Sequence, residues 1–334
     1  MLSREASMPT VYFSILLLIH AVLAAGTEAQ APEKPTIAVS SDSGGNNAIW
    51  YIDPDGGDPR SILKIEGAPL SWGMEWSPDG SQIAFHTQVG KNVDVYVMDG
   101  DGEKLKRLTD HEGEDSWPTW HPSGKRLAFA SDRDGNLEIQ VMNLVGKVLE
   151  NLTNDPAPDT QPTWSPDGRQ IAFATKRGKS LGDIWAMEAN GDEPRNLTNT
   201  RGKEIQPKWS PDGKWIVWSS QRNGNGDIFV MDPQGENLRQ ISGVRKDAIG
   251  QWDDREVSWS PDSKKVVYIS RSPIFIAEVD KDDELVAHPM LPDIGVIHGS
   301  PAWFDPDFVR AFSVSPVEKR PLAWGWLKKL RRGN

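Results

Sequence analysis

The chain has 334 residues, of which 37% are hydrophobic, and it carries a net charge of −11 at pH 7. It contains no cysteine, which excludes disulfides, cysteine-ligated zinc, thiol catalysis and a lipid-modified cysteine. The 25 prolines and 30 glycines separate short apolar runs that also hold many of the 15 tryptophans. This pattern is typical of strands joined by turns, so the chain is predicted to be all-β.

The first predicted element is a targeting segment. Arg4 precedes an apolar run from Val11 to Ala25, and small and acidic residues follow it. That order is typical of a secretory signal peptide, and the run is shorter than the ~20 apolar residues of a membrane-spanning helix. Residues 1–29 are therefore predicted to be a signal peptide that is removed on export. We expect the mature protein to be periplasmic or secreted.

A repeat dominates the rest of the chain. The sequence Trp-Ser-Pro-Asp-Gly, or a variant of it, recurs at six tryptophans that are 44, 44, 45, 50 and 44 residues apart. These residues are Trp76, Trp120, Trp164, Trp209, Trp259 and Trp303. A period in the forties with several strand signals in each unit is typical of the blades of a β-propeller.

Each repeat predicts four antiparallel strands. The strand that ends at the tryptophan is followed by a short apolar strand such as 83–85, an alternating strand such as 93–98, and a Leu-Thr strand such as that at Leu108. Residues 36–65 hold the last three of these strands, and the strand around Trp303 supplies the first. The prediction is a six-bladed β-propeller over residues 30–317, closed by N- and C-terminal strands in one blade.

The recurrent turn is predicted to be structural rather than catalytic. Its proline presets the backbone angle, its aspartate can accept hydrogen bonds from nearby amides, and its glycine tolerates a positive φ. The tryptophan before each turn is expected to pack between neighbouring blades. Blades of this composition resemble the TolB-type propellers, also described as WD-repeat-like, over residues 36–305. The resemblance implies a periplasmic protein that binds a partner.

Three classes of function are open: a partner-binding module, a carbohydrate-active or metal-dependent enzyme, and a structural envelope protein. The sequence has no Gly-x-Ser-x-Gly elbow, which argues against a serine hydrolase. Some propellers with similar repeats are lyases that hold a metal with several histidines, and four histidines are placed near loops on one face: His86, His111, His288 and His298. We favour a non-enzymatic protein that binds a protein or peptide, and we expect no nucleic-acid partner.

A binding site is predicted at one mouth of the central channel, which the first strand of each blade should line. Five residues before each repeated tryptophan stand Ser71, Asp115, Asp159, Glu204, Asp254 and His298. Carboxylates gathered at one mouth repel one another unless a cation or a basic partner compensates them. A divalent cation such as calcium, or the basic groups of a peptide, would fit such a ring. The alternative is that each carboxylate pairs with a loop arginine such as Arg133 or Arg222.

The last predicted element is a basic segment. Residues 318–334 carry six basic side chains against one acidic side chain, whereas residues 30–317 carry a net charge of −15. Leu322, Trp326 and Leu330 recur at helical spacing beside Trp324 and Leu327. A basic amphipathic pattern of this kind favours contact with an anionic membrane surface. The alternative is that the segment folds against its own acidic propeller.

Overall fold

The computed structural model describes residues 30–43, 46–65, 72–178, 181–224, 226–242, 254–270, 273–279, 288–290, 294, 296–297 and 299–308. The predicted signal peptide, residues 1–29, and the predicted basic segment, residues 318–334, lie outside these residues. Within the described ranges, no helix is long and apolar enough to cross a bilayer.

The described residues form six antiparallel sheets, each of which is one blade. Blade 6 holds the N-terminal strands β1 (Thr36–Ser43), β2 (Asn46–Ile52) and β3 (Arg60–Lys64). Blades 1 and 2 follow with β4 (Trp72–Trp76), β5 (Gln82–Val89), β6 (Asn92–Asp99), β7 (Lys106–Arg107), β8 (Asp115–Trp120), β9 (Arg126–Ser131), β10 (Glu138–Asn143) and β11 (Val148–Asn151).

The remaining blades repeat the same order of four strands. Blade 3 consists of β12 (Asp159–Trp164), β13 (Gln170–Thr175), β14 (Asp183–Glu188) and β15 (Arg195–Asn196). Blades 4 and 5 consist of β16 (Glu204–Trp209), β17 (Ile216–Ser220), β18 (Asp227–Met231), β19 (Arg239–Gln240), β20 (Asp254–Trp259), β21 (Lys265–Ser270), β22 (Ile274–Glu278) and β23 (His288–Met290). The chain then returns to blade 6 through β24 (Val296–Ile297) and β25 (Ala302–Phe304).

The ring is closed as the sequence predicts. Both β24 and β25 pair with β1, so the two short strands together form the innermost strand of blade 6. The first strand of every blade contacts the first strand of the next, including β25 with β4. The prediction of a six-bladed propeller with one shared closing blade is confirmed.

The second strand of each blade carries the core. Phe85, Phe129, Phe173 and Trp218 stand at equivalent positions of these strands and are fully buried. Because each blade packs between two neighbours, these strands are covered on both faces and have continuous apolar runs. Side chains of successive blades then share hydrophobic clusters, which lock the blades at fixed positions around the channel.

The Trp-Ser-Pro-Asp-Gly turns are structural, as predicted. After Trp76, the Ser77 hydroxyl donates to Asp79 Oδ1 at 2.6 Å, and the Ser81 amide donates to the same oxygen at 3.1 Å. Gly80 has a φ of 71°, which a residue with a Cβ adopts at a cost. The repeated tryptophans other than Trp303 are also buried. The Trp76 indole, for example, donates to the Ala302 carbonyl of the preceding blade at 3.1 Å.

Candidate functional site

The central channel is built from four layers along each first strand. We name them by their distance from the repeated tryptophan: the acidic layer lies five residues before it, the belt three before it and the floor one before it. The funnel consists of the tryptophans and the turns that follow them. Because all six first strands run in the same direction along the channel, each layer is a ring of equivalent positions.

In the acidic layer, three carboxylates pair with an arginine of their own blade. Arg133 donates to both oxygens of Asp115 at 2.9 Å, and Arg222 donates to Glu204 Oε2 at 2.8 Å. Arg177 donates to Asp159 Oδ2 at 2.5 Å. The three carboxylates are completely buried.

Each arginine also lies over an aromatic ring of the second strand. The Arg133 guanidinium is 5.5 Å from the centre of the Phe129 ring, and the Arg222 guanidinium is 5.4 Å from that of Trp218. Such contacts add to the ion pair because the ring face attracts the cation. At these three positions the acidic layer therefore consists of ion pairs with cation–π contacts rather than of exposed negative charges.

The fourth carboxylate, Asp254, has different surroundings. Its Oδ2 accepts a hydrogen bond from the Ser242 hydroxyl at 2.6 Å, and it lies close enough to Asp227 for the two charges to interact. Burial, reinforced by the charge of Asp254, raises the pKa of Asp227 to about 6. Ser71 and His298 of the same predicted ring lie outside the described residues.

These contacts bear on the two interpretations of the acidic ring. Asp115, Asp159 and Glu204 each form an ion pair with a loop arginine, as the second interpretation predicts. Binding of a cation or partner by Asp115, Asp159, Glu204, Asp254 and His298 stays a prediction. Because three carboxylates are already neutralised and buried, a ligand at this mouth would have to displace arginines from them.

The belt is a chain of hydrogen bonds from blade to blade. The Gln206 amide N–H donates to Gln161 Oε1 at 2.9 Å, and the Glu256 amide N–H donates to Gln206 Oε1 at 3.1 Å. The Glu256 carboxylate then accepts from the Gln206 side chain and from the Ser300 hydroxyl, which in turn accepts from the Gly73 amide at 3.1 Å.

A bulge in each first strand makes the belt possible. The belt residues of blades 1 to 5 have φ values between 54° and 61°: Gly73, Trp117, Gln161, Gln206 and Glu256. At each of them the pairing with the second strand shifts its register. The amide of a bulged residue is free of the strand ladder, so it can bond to the side chain of the preceding blade.

Glu256 is the buried acid of the belt, with 6% of its surface exposed. Burial raises its pKa, although hydrogen bonds from Ser300 and Gln206 oppose the shift. An acid with a raised folded pKa is destabilising above the pKa of the unfolded chain, because folding then requires a proton or a buried charge. We therefore expect the melting temperature of Glu256→Gln to rise relative to the wild type as pH increases from about 4.5.

Thermal melts of both proteins between pH 4 and pH 9 check this expectation. The free energy of unfolding of the wild type should fall relative to that of the variant as pH rises. The reason is that the glutamine side chain keeps the acceptor for Gln206 and has no proton to lose. A difference in melting temperature that is the same at every pH would contradict a raised pKa at Glu256.

The floor is one ion pair across the channel. Lys208 of blade 4 donates to Glu75 Oε2 of blade 1 at 2.8 Å, and the two blades are opposite in a ring of six. Glu75 Oε1 also accepts from the Thr119 hydroxyl and from the Trp120 amide, both at 2.9 Å. The pair is part-buried, because 20% of the lysine and 26% of the glutamate side chain is exposed.

The funnel opens on the outer side of this floor. It is a cavity of about 390 Å³ with walls of aromatic and proline side chains. Its lining includes Trp76, Trp120, Trp164, Trp209, Trp259, Trp303, Pro78, Pro122, Pro166, Pro211 and Pro261. On the inner side of the floor, the belt encloses a cavity of only about 20 Å³. The funnel is thus the larger of these two spaces and the one with room for a ligand.

Sequence reasoning missed the floor and the belt, although a signal for both exists. One residue before the repeated tryptophans, charged side chains stand only in repeats 1 and 4, as Glu75 and Lys208. In a ring of six these repeats face each other, so the opposite charges predict a bridge. The belt follows from the same counting, since Gln161, Gln206 and Glu256 fall on one ring.

The histidines relevant to a metal-dependent enzyme are not grouped where the structure describes them. His86 is buried, and burial lowers its pKa to about 3; its Nδ1 accepts the Trp117 amide at 3.2 Å. His111 is exposed and accepts the Gly113 amide at 3.0 Å. His298 and the side chain of His288 are outside the description. Among the described residues, no group of three or more acidic or histidine side chains could hold a metal ion.

Comparison with known proteins agrees with this architecture. The family model of the TolB beta propeller domain matches residues 36–182, and that of the Tricorn protease N-terminal beta propeller domain matches residues 179–281. The structure of TolB from Acinetobacter baumannii superposes with a TM-score of 0.68 at 23% identity, covering 90% of this chain and 74% of that one. At this identity, the superposition shows the fold alone.

Two relatives share shorter segments. The Tol-Pal system protein TolB of Thioalkalivibrio sulfidiphilus is 35% identical over 69 residues, which are 21% of this chain and 15% of that protein. The Tol-Pal system protein TolB of Anaeromyxobacter dehalogenans is 33% identical over 89 residues, which are 26% and 20%. The matches thus span a fifth or less of these relatives. The chain is a six-bladed β-propeller, and its residues 36–182 are similar to the TolB beta propeller domain.

Proposed function

We propose that the chain is an exported, non-enzymatic module that binds a protein or peptide partner in the funnel. The observation that carries the proposal is the cavity of about 390 Å³ with tryptophan and proline walls and a charged floor. Relatives with the same blades are named as components of the Tol-Pal system, which supports a periplasmic partner-binding role. The predicted signal peptide is consistent with export to that compartment.

The chemistry of the funnel suits a peptide segment. Tryptophan is enriched among the residues that dominate binding energy at protein interfaces, because it offers a large, rigid apolar face. Lys208 and Glu75 can each exchange part of their mutual bond for a charged group of the ligand.

The wall residues are also held in place before any ligand binds. The Trp120 indole donates to the Glu75 carbonyl at 3.1 Å, and the Trp259 indole donates to the Lys208 carbonyl at 2.9 Å. A preformed wall lowers the entropy that binding costs. The funnel is therefore a better candidate than the acidic layer, whose arginines are engaged with carboxylates of the same blade.

Selection of linear peptides from a random display library on the immobilised full chain tests the proposal. The affinity of a selected peptide is then measured by fluorescence anisotropy for the wild type, for Lys208→Met and for the control Lys147→Ala on an exposed turn. We expect Lys208→Met to weaken binding at least about tenfold, which is about 1.4 kcal/mol, and Lys147→Ala to leave it unchanged.

Two results would contradict the funnel as the site. One is equal affinity for Lys208→Met and the wild type. The other is loss of binding with Arg133→Lys but not with Lys208→Met, which would move the site to the predicted acidic mouth. Circular dichroism of each variant establishes that a loss of affinity does not reflect a loss of fold.

A further inference from the structure

The described chain ends inside the wall of the funnel. After β25, residues 306–308 form a helical turn in which the Phe308 amide donates to the Asp305 carbonyl at 3.2 Å. Phe308 itself lines the funnel together with Trp303 and Phe304. Whatever follows Phe308 therefore starts at the rim of the candidate binding site.

The segment that follows has apolar side chains of the kind that line the funnel. Residues 318–334, which we call the C-terminal segment, hold Trp324 and Trp326 together with Leu322, Leu327 and Leu330. Aromatic rings gain energy from packing against other aromatic rings in offset or edge-on arrangements. A tryptophan from this segment would meet that environment at the funnel wall.

Charge favours the same placement. The C-terminal segment has a net charge of +5, and residues 30–317 carry −15. The turns of blades 1 and 6, 76–82 and 303–308, contain Asp79, Asp305 and Asp307 and no basic residue, whereas the turn of blade 5 contains Lys264 and Lys265. Phe304 packs against Trp76 with ring centres 5.1 Å apart, so these turns are neighbours on the rim. The rim is therefore acidic on the blade 1 side of the point where the chain leaves it.

The length of the connection allows the segment to turn back. Leu322 lies fourteen positions after Phe308, and a fully extended chain spans at most about 3.3–3.6 Å per residue. This reach is several times the width of a cavity of about 390 Å³.

We propose that the C-terminal segment occupies the funnel of its own propeller and competes there with other ligands. Trp324 and Trp326 pack against the tryptophan and proline walls, and the basic side chains lie over the acidic part of the rim. The proposal goes beyond the function proposed above, because it requires only the funnel and not an external partner. A partner peptide would then have to displace the C-terminal segment, so its apparent affinity for the full chain would be lower than for a chain without the segment.

Photo-crosslinking in the full chain tests the placement directly. The photoreactive residue benzoylphenylalanine replaces Trp326, and mass spectrometry locates the crosslinked peptides after irradiation. We expect intramolecular crosslinks to the funnel wall, in the peptides that contain Pro122, Pro166 or Trp303. As a control, the same group replaces Val145, which is 76% exposed on the outer turn of blade 2, and it should give no funnel crosslinks.

A second measurement adds the peptide of residues 318–334 to the chain that ends at residue 317. We expect saturable one-to-one binding by fluorescence anisotropy, weakened at least tenfold when serine replaces Trp324 and Trp326 in the peptide. Because that peptide keeps its charge, the comparison separates aromatic packing from a general attraction to the acidic propeller. Binding should also tighten with Lys208→Met, because the freed Glu75 carboxylate at the floor attracts the basic peptide, and it should stay unchanged with Lys147→Ala.

The alternative is that the C-terminal segment binds a membrane surface instead of the funnel. Crosslinks only to anionic vesicles of phosphatidylglycerol and phosphatidylethanolamine, or crosslinks confined to outer strands, would overturn the proposal. So would equal binding of the tryptophan and serine peptides. If library peptides bind the funnel and the C-terminal segment does not, this inference fails while the proposed function stands.

Discussion

Ending the chain after residue 293 is expected to abolish the cooperative unfolding of the propeller. The truncation removes β24 and β25, so β1 loses its inner partner and presents an open edge. It also removes Phe304, which is 3% exposed against Trp76, and the carbonyl of Ala302 that accepts the Trp76 indole. We expect a loss of at least about 5 kcal/mol, since replacing a buried phenylalanine by alanine alone costs about 3–5 kcal/mol.

Urea denaturation followed by tryptophan fluorescence measures this loss. The matched control is a chain ended after residue 317, which keeps every strand of the closing blade and should unfold as the full chain does. The single substitution Phe304→Ala in the full chain is a milder perturbation of the same blade and should lower the free energy of unfolding by about 3–5 kcal/mol. A single sharp transition at the wild-type urea concentration in the chain that ends at residue 293 would show that the ring does not depend on β25.

Replacing Arg222 by methionine is expected to destabilise the protein by about 3–5 kcal/mol. Glu204 is completely buried, and without the arginine its donors among the described residues are neutral, such as the Ser220 hydroxyl at 2.9 Å. An unpaired charge at such a site costs more than the ion pair contributes, because water does not reach it. The double variant Glu204→Gln with Arg222→Met removes both charges and should recover most of the loss.

Chemical denaturation of the two single variants and the double variant forms a complete thermodynamic cycle. The equivalent pair Asp115 and Arg133 in blade 2 provides an independent repeat of the measurement. If Arg222→Met is as stable as the wild type, or if the double variant is as unstable as the sum of the singles, the arginine does not neutralise the carboxylate in the way the distances indicate.

The fold could be predicted from the sequence because its signals recur. The six tryptophans and their turns fix the period, and the missing first strand of residues 36–65 fixes the closure around Trp303. Each signal is local, since proline, glycine and aspartate determine a turn through their own backbone preferences. Repetition then multiplies a weak local preference into a specific architecture.

The site was less predictable because its contacts join distant residues of unlike type. Counting back from the tryptophans placed Asp115 and Glu204 in one layer, but their pairing with Arg133 and Arg222 depends on how the side chains reach across the blade. The floor joins Glu75 to Lys208 over 133 residues, and neither position repeats its charge in the neighbouring blades. Such contacts follow from the ring geometry rather than from a motif.

Hydrogen exchange of the full chain with a saturating selected library peptide tests the central claim most directly, because it locates the bound peptide without any substitution. If the funnel binds partners, protection should appear in the turns after Trp120, Trp164 and Trp209 and leave the acidic layer unchanged. Protection confined to the strand beginnings at Asp115, Asp159 and Glu204, or to the outer strands of the blades, would contradict a partner-binding site in the funnel.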